Sequence, residues 1–271
     1  MEKELLKSMF DNLLHIGNKI NFWNPRMKPY IYGSTNGVHI INLVKTVEKL
    51  EEVKKEITEA VKSGKKVLIV ATKLQGRDAW KKLAEDTGCA YVSEKWVPGL
   101  LTNFKTIRKR IGTYIKLLKD AEVGAFNIYT KKEKASKMLE LEKLNLAYSG
   151  LKEIKKTPDI LFVVDSVYEK QAVKEAQTLG IEVIAIANTN GDDLVVKNII
   201  PANTNSVKSL QFLAKELKSA FGTAPAMAAP TGVASEGPKV LKMEPKKVSG
   251  EKKLTPKKDE EEKAPAKKAA K

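Results

Sequence analysis

Four short apolar runs constrain this chain more than any other feature: Val38 to Leu43 (VHIINL), Val67 to Ala71 (VLIVA), Ile160 to Val164 (ILFVV) and Val183 to Ala187 (VIAIA). A run apolar on successive residues, rather than on alternate ones, suits a strand covered on both faces. Between the runs lie helical patterns. Val47, Leu50, Val53, Ile57 and Val61 recur at helical spacing within Val44 to Lys62, and further helices are predicted over Gln75 to Thr87 and Glu169 to Leu179, the latter ended by Gly180. After the fourth run, Asn198 to Ile200 before Pro201 reads as a short edge strand, and Thr204 to Ala220 as a closing helix with Leu210, Leu213 and Leu217 inward. Strand, helix, strand in repeated units requires parallel pairing through right-handed crossovers. The expected fold is α/β, a three-layer α/β/α doubly wound parallel sheet of the flavodoxin-like or Rossmann-like kind.

The alternation breaks between Thr102 and Ile154. Ile107, Ile111, Tyr114 and Leu118 there form one heptad-like seam, and Leu141, Leu144, Tyr148 and Leu151 form another. Two such helices, joined around Asp120 to Thr130, predict an antiparallel coiled-coil hairpin inserted in the sheet domain. The expected organisation is therefore an α/β/α domain with an N-terminal extension over 1–101 and 155–222, an inserted hairpin over 102–154, and a tail over 223–271. The first hairpin helix carries Lys105, Arg108, Lys109, Arg110, Lys116 and Lys119, with Asp120 its only nearby acid. Such clustering favours a phosphate-binding face over an ordinary solvated face. The second helix opens on Lys131, Lys132, Lys134 and Lys137 but alternates with Glu133, Glu140 and Glu142.

Charge narrows the class of partner. Lys and Arg number 49 against 33 Asp and Glu, a formal net charge of +16, which speaks to association rather than to fold. From Thr223 to Lys271, 12 lysines meet 7 acids and almost no large apolar residue, so the tail is expected to be disordered, as a nucleic-acid tether or simply a solubilising segment. No apolar run approaches the roughly 18 residues of a membrane span, and the N-terminal MEKELLKSMF lacks the apolar core of a signal peptide. Cys89 is the only cysteine, which excludes an intramolecular disulfide and cysteine-rich metal sites. A cytoplasmic protein with no membrane partner is expected.

A doubly wound sheet invites an enzyme that binds a nucleotide or sugar phosphate at its switch point. The loops argue against one. VLIVAT is followed by KLQGRDAW, with neither a G-x-G-x-x-G nor a G-x-x-x-x-G-K-[ST] loop. Of the two histidines, His15 and His39, the second lies within VHIINL and reads as a hydrogen-bonded structural residue. Asp165, Asp192 and Asp193 at strand ends read as helix and turn caps. Neither a catalytic set, a metal nor a cofactor is predicted.

Longer blocks then carry a resemblance. Trp23-Asn24-Pro25-Arg26-Met27-Lys28-Pro29-Tyr30-Ile31, Asn36 to Leu43 with Lys45-Thr46, Lys73, Trp96 with Leu101 to Ile107, Thr130 to Glu133, Glu140 to Leu144, and Pro158-Asp159 with ILFVVD closely resemble the bacterial ribosomal protein S2 family. Glu175-Ala176, Leu179 to Ile181, Thr189-Asn190 and Ile200-Pro201 continue it, so it covers about residues 5 to 220. The resemblance implies a component of the small ribosomal subunit, bound to 16S ribosomal RNA on the solvent side between head and body, beside other small-subunit proteins including ribosomal protein S1 where present. A free basic adaptor acting off the ribosome stays open as a second role.

Ribosomal RNA is recognised mainly by shape and backbone, so cations, exposed aromatics, Asn and Thr are the expected contacts. Three segments qualify: Lys19, Asn21, Trp23, Asn24, Arg26 and Lys28, a stretch too rich in Pro and Asn to read as a regular element; Lys73 with Arg77; and Asn103, Lys105, Thr106, Arg108, Lys109 and Arg110. Trp23 and Trp96 are as readily buried anchors as stacking platforms. The chain departs from the family's Gly-Val-His-Phe-Gly-His at Leu13 to Asn18, from its Asp-Thr-Asn at Asn188 to Asn190, and from its His-Arg at Glu94-Lys95. Pro98 replaces a glycine, and Leu74 a basic residue. Without the second His and the Asp, a metal site bridging these segments has too few ligands.

Overall fold

The computed structural model describes residues 2–222, Asp193 and Lys197 excepted. The expected tail over 223–271 and Asp193 lie outside the described residues. In chain order the elements are α1 (Glu2–Asp11), β1 (Ile16–Lys19), a 3-10 turn (Pro25–Tyr30), β2 (Ile31–Thr35), β3 (Val38–Ile41), α2 (Leu43–Lys62), β4 (Val67–Val70), α3 (Arg77–Thr87) and β5 (Ala90–Val92). There follow α4 (Phe104–Glu122), α5 (Lys131–Tyr148), β6 (Ile160–Val164), α6 (Lys170–Thr178), β7 (Glu182–Ala187), β8 (Asn198–Pro201) and α7 (Val207–Phe221).

Five strands pair in parallel in the order β5-β4-β6-β7-β8. From β4 the chain winds through α3 to β5 on one side, while β6, β7 and β8 build out on the other, so the winding reverses between β4 and β6. Side chains alternate along each strand. Ile69, Phe162, Val164 and Ile186 join Leu50 of α2, Trp80 of α3 and Leu213 of α7 in one core; Leu68, Val70, Val163 and Ala185 join Val173 of α6 and Ile107 of α4 in another. Covered faces on both sides explain why these runs are uninterrupted.

The run at Val38 is the exception. Its strand β3 pairs antiparallel with β1 and β2 in a separate three-stranded sheet, not in the parallel one. Burial shows the reason: His39 and Ile41 are buried while Val38 and Ile40 are half-buried, so only one face is fully covered. The local signal was Asn36-Gly37, whose φ values of 51° and 76° close a two-residue turn between β2 and β3, as an Asn-Gly pair with two left-handed residues does.

The hairpin helices α4 and α5 meet along the expected seams. Ile107, Ile111 and Tyr114 are buried with Tyr148 and Leu151, and the Tyr114 hydroxyl bonds Asn145 Oδ1 at 2.6 Å. Thr130 and Glu133 form a reciprocal capping box at the start of α5. At the hairpin base, Gly150 lies so close to the carbonyl of Tyr91 in β5 that a Cβ there would collide with backbone. The hairpin is thereby seated on the edge of the sheet.

Candidate nucleic-acid interface

The N-terminal contact segment contains more regular structure than its composition suggests: β1 ends at Lys19, and Pro25–Tyr30 forms a 3-10 turn. Asn24 caps that turn, its Oδ1 accepting from Arg26 N at 3.1 Å, while its own N–H donates to the Thr189 carbonyl at 2.9 Å. The segment is thus tied to the loop after β7. Lys19, Asn21 and Lys28 are exposed, their side chains unpaired among the described residues. Arg26 is already engaged: its Nη1 lies 2.8 and 3.0 Å from the two carboxylate oxygens of Asp192. That hydrogen bond holds the Asp192 carboxyl below its ordinary range. Trp23 leans on His39 with ring centroids 5.3 Å apart. His39 is buried, and neither ring nitrogen is hydrogen-bonded among the described residues, so its role is packing rather than the expected hydrogen bonding.

Lys73 and Arg77 lie at the switch point and face inward. Lys73 Nζ bonds Asp165 Oδ2 at 2.7 Å and Asn205 Oδ1 at 2.8 Å, and the two charged side chains are only 12% and 7% exposed. Asp165 takes a left-handed φ of 79°, a strained choice for a non-glycine residue. Its other oxygen accepts from Val167 N and Tyr168 N at 3.1 and 3.2 Å, so it caps the turn before α6 and not the expected helix itself, whose N-cap residue Glu169 makes no side-chain cap hydrogen bond. Beside it Thr72 donates its N–H to Glu169 at 2.8 Å; burial raises the Glu169 pKa, against the pull of the Thr72 hydrogen bonds. Arg77 pairs with Glu94 at 2.7 Å. Lys73 and Arg77 therefore do not present free charge to a phosphate, and the crevice where doubly wound folds hold ligands is filled by the chain's own ion pairs. Their partners, 92 and 17 residues away in sequence, were not evident from local pattern.

The hairpin base is different. Asn103, Lys105, Thr106, Arg108, Lys109 and Arg110 are all exposed. Lys105, Lys109 and Arg110 have unpaired side chains among the described residues, whereas Arg108 donates through Nη1 to the Lys155 carbonyl. The entry loop is fixed from below by Glu175 of α6, which accepts from Trp96 Nε1 at 3.1 Å, Gly99 N at 2.8 Å and Leu101 N at 3.1 Å. Burial pushes the Glu175 carboxyl up, but these hydrogen bonds outweigh it and the net shift is downward. Trp96 is accordingly a buried anchor, 7% exposed.

Three cations outside the sequence-predicted segments lie at the hairpin exit. Lys152 Nζ sits 5.6 Å from the Tyr114 ring centroid, and Lys155 is reached by Arg108; both are exposed, as is the adjacent Lys156. The signal was available, since lysines crowd the exit from the hairpin as they do its entry. Phe22, not among the expected contacts either, is 69% exposed.

Residues 9–224 match the family model described as Ribosomal protein S2. Similar relatives include the small ribosomal subunit protein uS2 of Coprothermobacter proteolyticus, 42% identical over 216 residues that cover 80% of this chain and 81% of the relative. The protein of the same name from Francisella philomiragia is 42% identical, over 80% of this chain and 90% of its own length. That of Francisella tularensis subsp. novicida is 41% identical over the same shares.

Proposed function

The chain belongs to the ribosomal protein S2 family, which is a family of ribosomal structural proteins and not of enzymes, and we propose that it is built into the cytoplasmic small ribosomal subunit by binding 16S ribosomal RNA. The observation that carries the reading is the hairpin base, where Lys105, Lys109 and Arg110 stand exposed and unpaired among the described residues, Arg108 reaches the Lys155 carbonyl, and Lys152, Lys155 and Lys156 are exposed at the hairpin exit. Each such cation can neutralise a phosphate and release condensed counterions, a gain that needs no base sequence. Lys19 and Lys28, with Asn21 between them, form a second contact patch. We treat residues 102–154 as an inserted hairpin that presents the first patch, 1–101 with 155–222 as the domain that carries it, and 223–271 as a basic tether. Other small-subunit proteins, ribosomal protein S1 among them where it exists, are the expected protein neighbours.

The test is sedimentation of a cell extract through sucrose gradients at low and high salt, with detection of this chain in every fraction. Stoichiometric comigration with the small subunit is expected, and a chain found only at the top at both salts would refute the proposal. To locate the contact, Lys105, Lys109 and Arg110 are changed together to Glu and the variant is bound to subunits stripped of this chain. The slope of log affinity against log salt should fall by about one unit for each phosphate that the variant no longer neutralises; an unchanged slope would remove the hairpin base from the interface.

A further inference from the structure

Phe22 is among the large side chains that the N-terminal region leaves exposed, with Tyr32 of β2 at 79% and Trp23 at 36%. Phe22 stands 69% exposed on a turn fixed from both sides. Its own N–H donates to the Lys19 carbonyl at 2.8 Å, Ile20 N donates to the Gly37 carbonyl at 3.1 Å, and Asn24 N donates to Thr189 at 2.9 Å. The neighbouring Trp23 turns onto buried His39, so one aromatic anchors the turn while the other faces outward. A turn held this way has little backbone freedom left to lose when something packs on the ring it carries.

The charge around the turn selects what that something is. No Asp or Glu occurs between Asp11 and Glu48. Asp192, which reaches the segment from the loop after β7, is neutralised by Arg26 at 2.8 Å. Lys19 and Lys28 remain exposed and unpaired among the described residues. An apolar pocket in a protein partner does not require so consistently positive a surround; a nucleic-acid strand does. We propose that Phe22 is the stacking platform for one unpaired nucleobase of ribosomal RNA, with Lys19 and Lys28 on the phosphates either side of it. The assignment rests on the RNA-binding reading above and adds to it a single-stranded subsite apart from the hairpin.

The experiment compares full-length chains carrying Phe22→Ala, Phe22→Leu and Phe22→Tyr with the unaltered chain, each titrated onto small subunits stripped of this protein over a range of salt. Phe22→Ala should weaken binding about tenfold, within the span found for removal of one aromatic–base stack. Leu keeps bulk and apolarity without a π-face and should forfeit most of the same affinity, while Tyr should retain it. Melting temperature and salt slope should be alike in all four, because an exposed ring is changed and every phosphate-facing cation is kept. Ultraviolet irradiation of the unaltered particle should leave a nucleotide adduct on the peptide that contains Phe22. Full affinity in the Ala variant overturns the subsite, and full affinity in the Leu variant overturns stacking in favour of an apolar protein contact. Were the unaltered chain itself to show no salt-dependent binding, both the subsite and the RNA reading would fall, a result distinct from either of the others.

Discussion

A cation already paired inside the protein cannot neutralise a phosphate without first giving up its partner, and this divides the basic residues. Lys73 belongs to the paired class, through Asp165 and Asn205. Lys73→Met leaves Asp165 buried without a counter-charge, and removal of one partner of a buried pair costs about 3 kcal/mol. Urea denaturation should show that loss, partly restored in Lys73→Met/Asp165→Asn, while the salt slope of subunit binding stays put; a slope lowered by one unit would return Lys73 to the interface. Glu56 gives a second prediction. Its pKa is pushed up to about 7 by burial, then by the hydrogen bond and charge of Glu182, against Lys65. A carboxyl whose folded value lies above its unfolded one favours folding when protonated, so this contribution is present below about pH 4 and is lost as pH rises toward 7. Allowing for solvent screening at this half-buried site, Glu56→Gln should add about 1 kcal/mol at pH 8 and nothing at pH 4. Equal melting temperatures of the two chains at pH 8 would contradict the pairing.

At the scale of elements, a buried carboxylate of α6 organises the loop that launches the hairpin. Glu175 accepts from the backbone of Gly99, Leu101 and Thr102 as well as from Trp96. Gln at this position turns an –NH2 group toward backbone donors, which costs about 2 kcal/mol. Because those hydrogen bonds hold the Glu175 pKa down, its stabilisation is present above about pH 4.3 and is lost as pH falls through the depressed folded value. Glu175→Gln should therefore flatten the acid limb of the stability curve, and amide exchange at Gly99 and Leu101 should quicken before that of β4. Unchanged exchange at both amides would show that the loop does not depend on Glu175. The elements themselves were largely readable. Strands buried on both faces advertise themselves as unbroken apolar runs, and the hairpin seams by their three-four spacing. The placement of β3 was not readable from its run, because apolarity reports burial but not which sheet supplies the neighbours. Nor were β5 and α1 legible: Ala90–Val92 is three residues long, and Glu2–Asp11 draws its partners from α2 and not from any local repeat.

For the whole molecule, the distribution of charge was legible and its availability was not. Counting lysines located the first hairpin helix, but whether Arg26, Lys73 and Arg77 are free depends on Asp192, Asp165 and Glu94, brought to them only by the fold. The switch-point crevice makes the same point: the sequence lacked a phosphate loop, yet only the structure shows ion pairs occupying the place where a ligand would sit. Phe221 is fully buried, edge-on to Phe162 at 5.4 Å, so α7 is part of the core up to its last residue, and the chain after Gly222 adds 12 lysines and 7 acids. Ending the chain after Gly222 should leave the urea midpoint unchanged. Ending it after Ala220 removes a core aromatic and should cost about 3 kcal/mol or more. Since the cations at the hairpin base and beside Phe22 all lie before residue 222, the chain ending at Gly222 should also keep most of the salt slope for stripped subunits. A slope reduced to near zero by that truncation would move the electrostatic contact from the folded body to the tail.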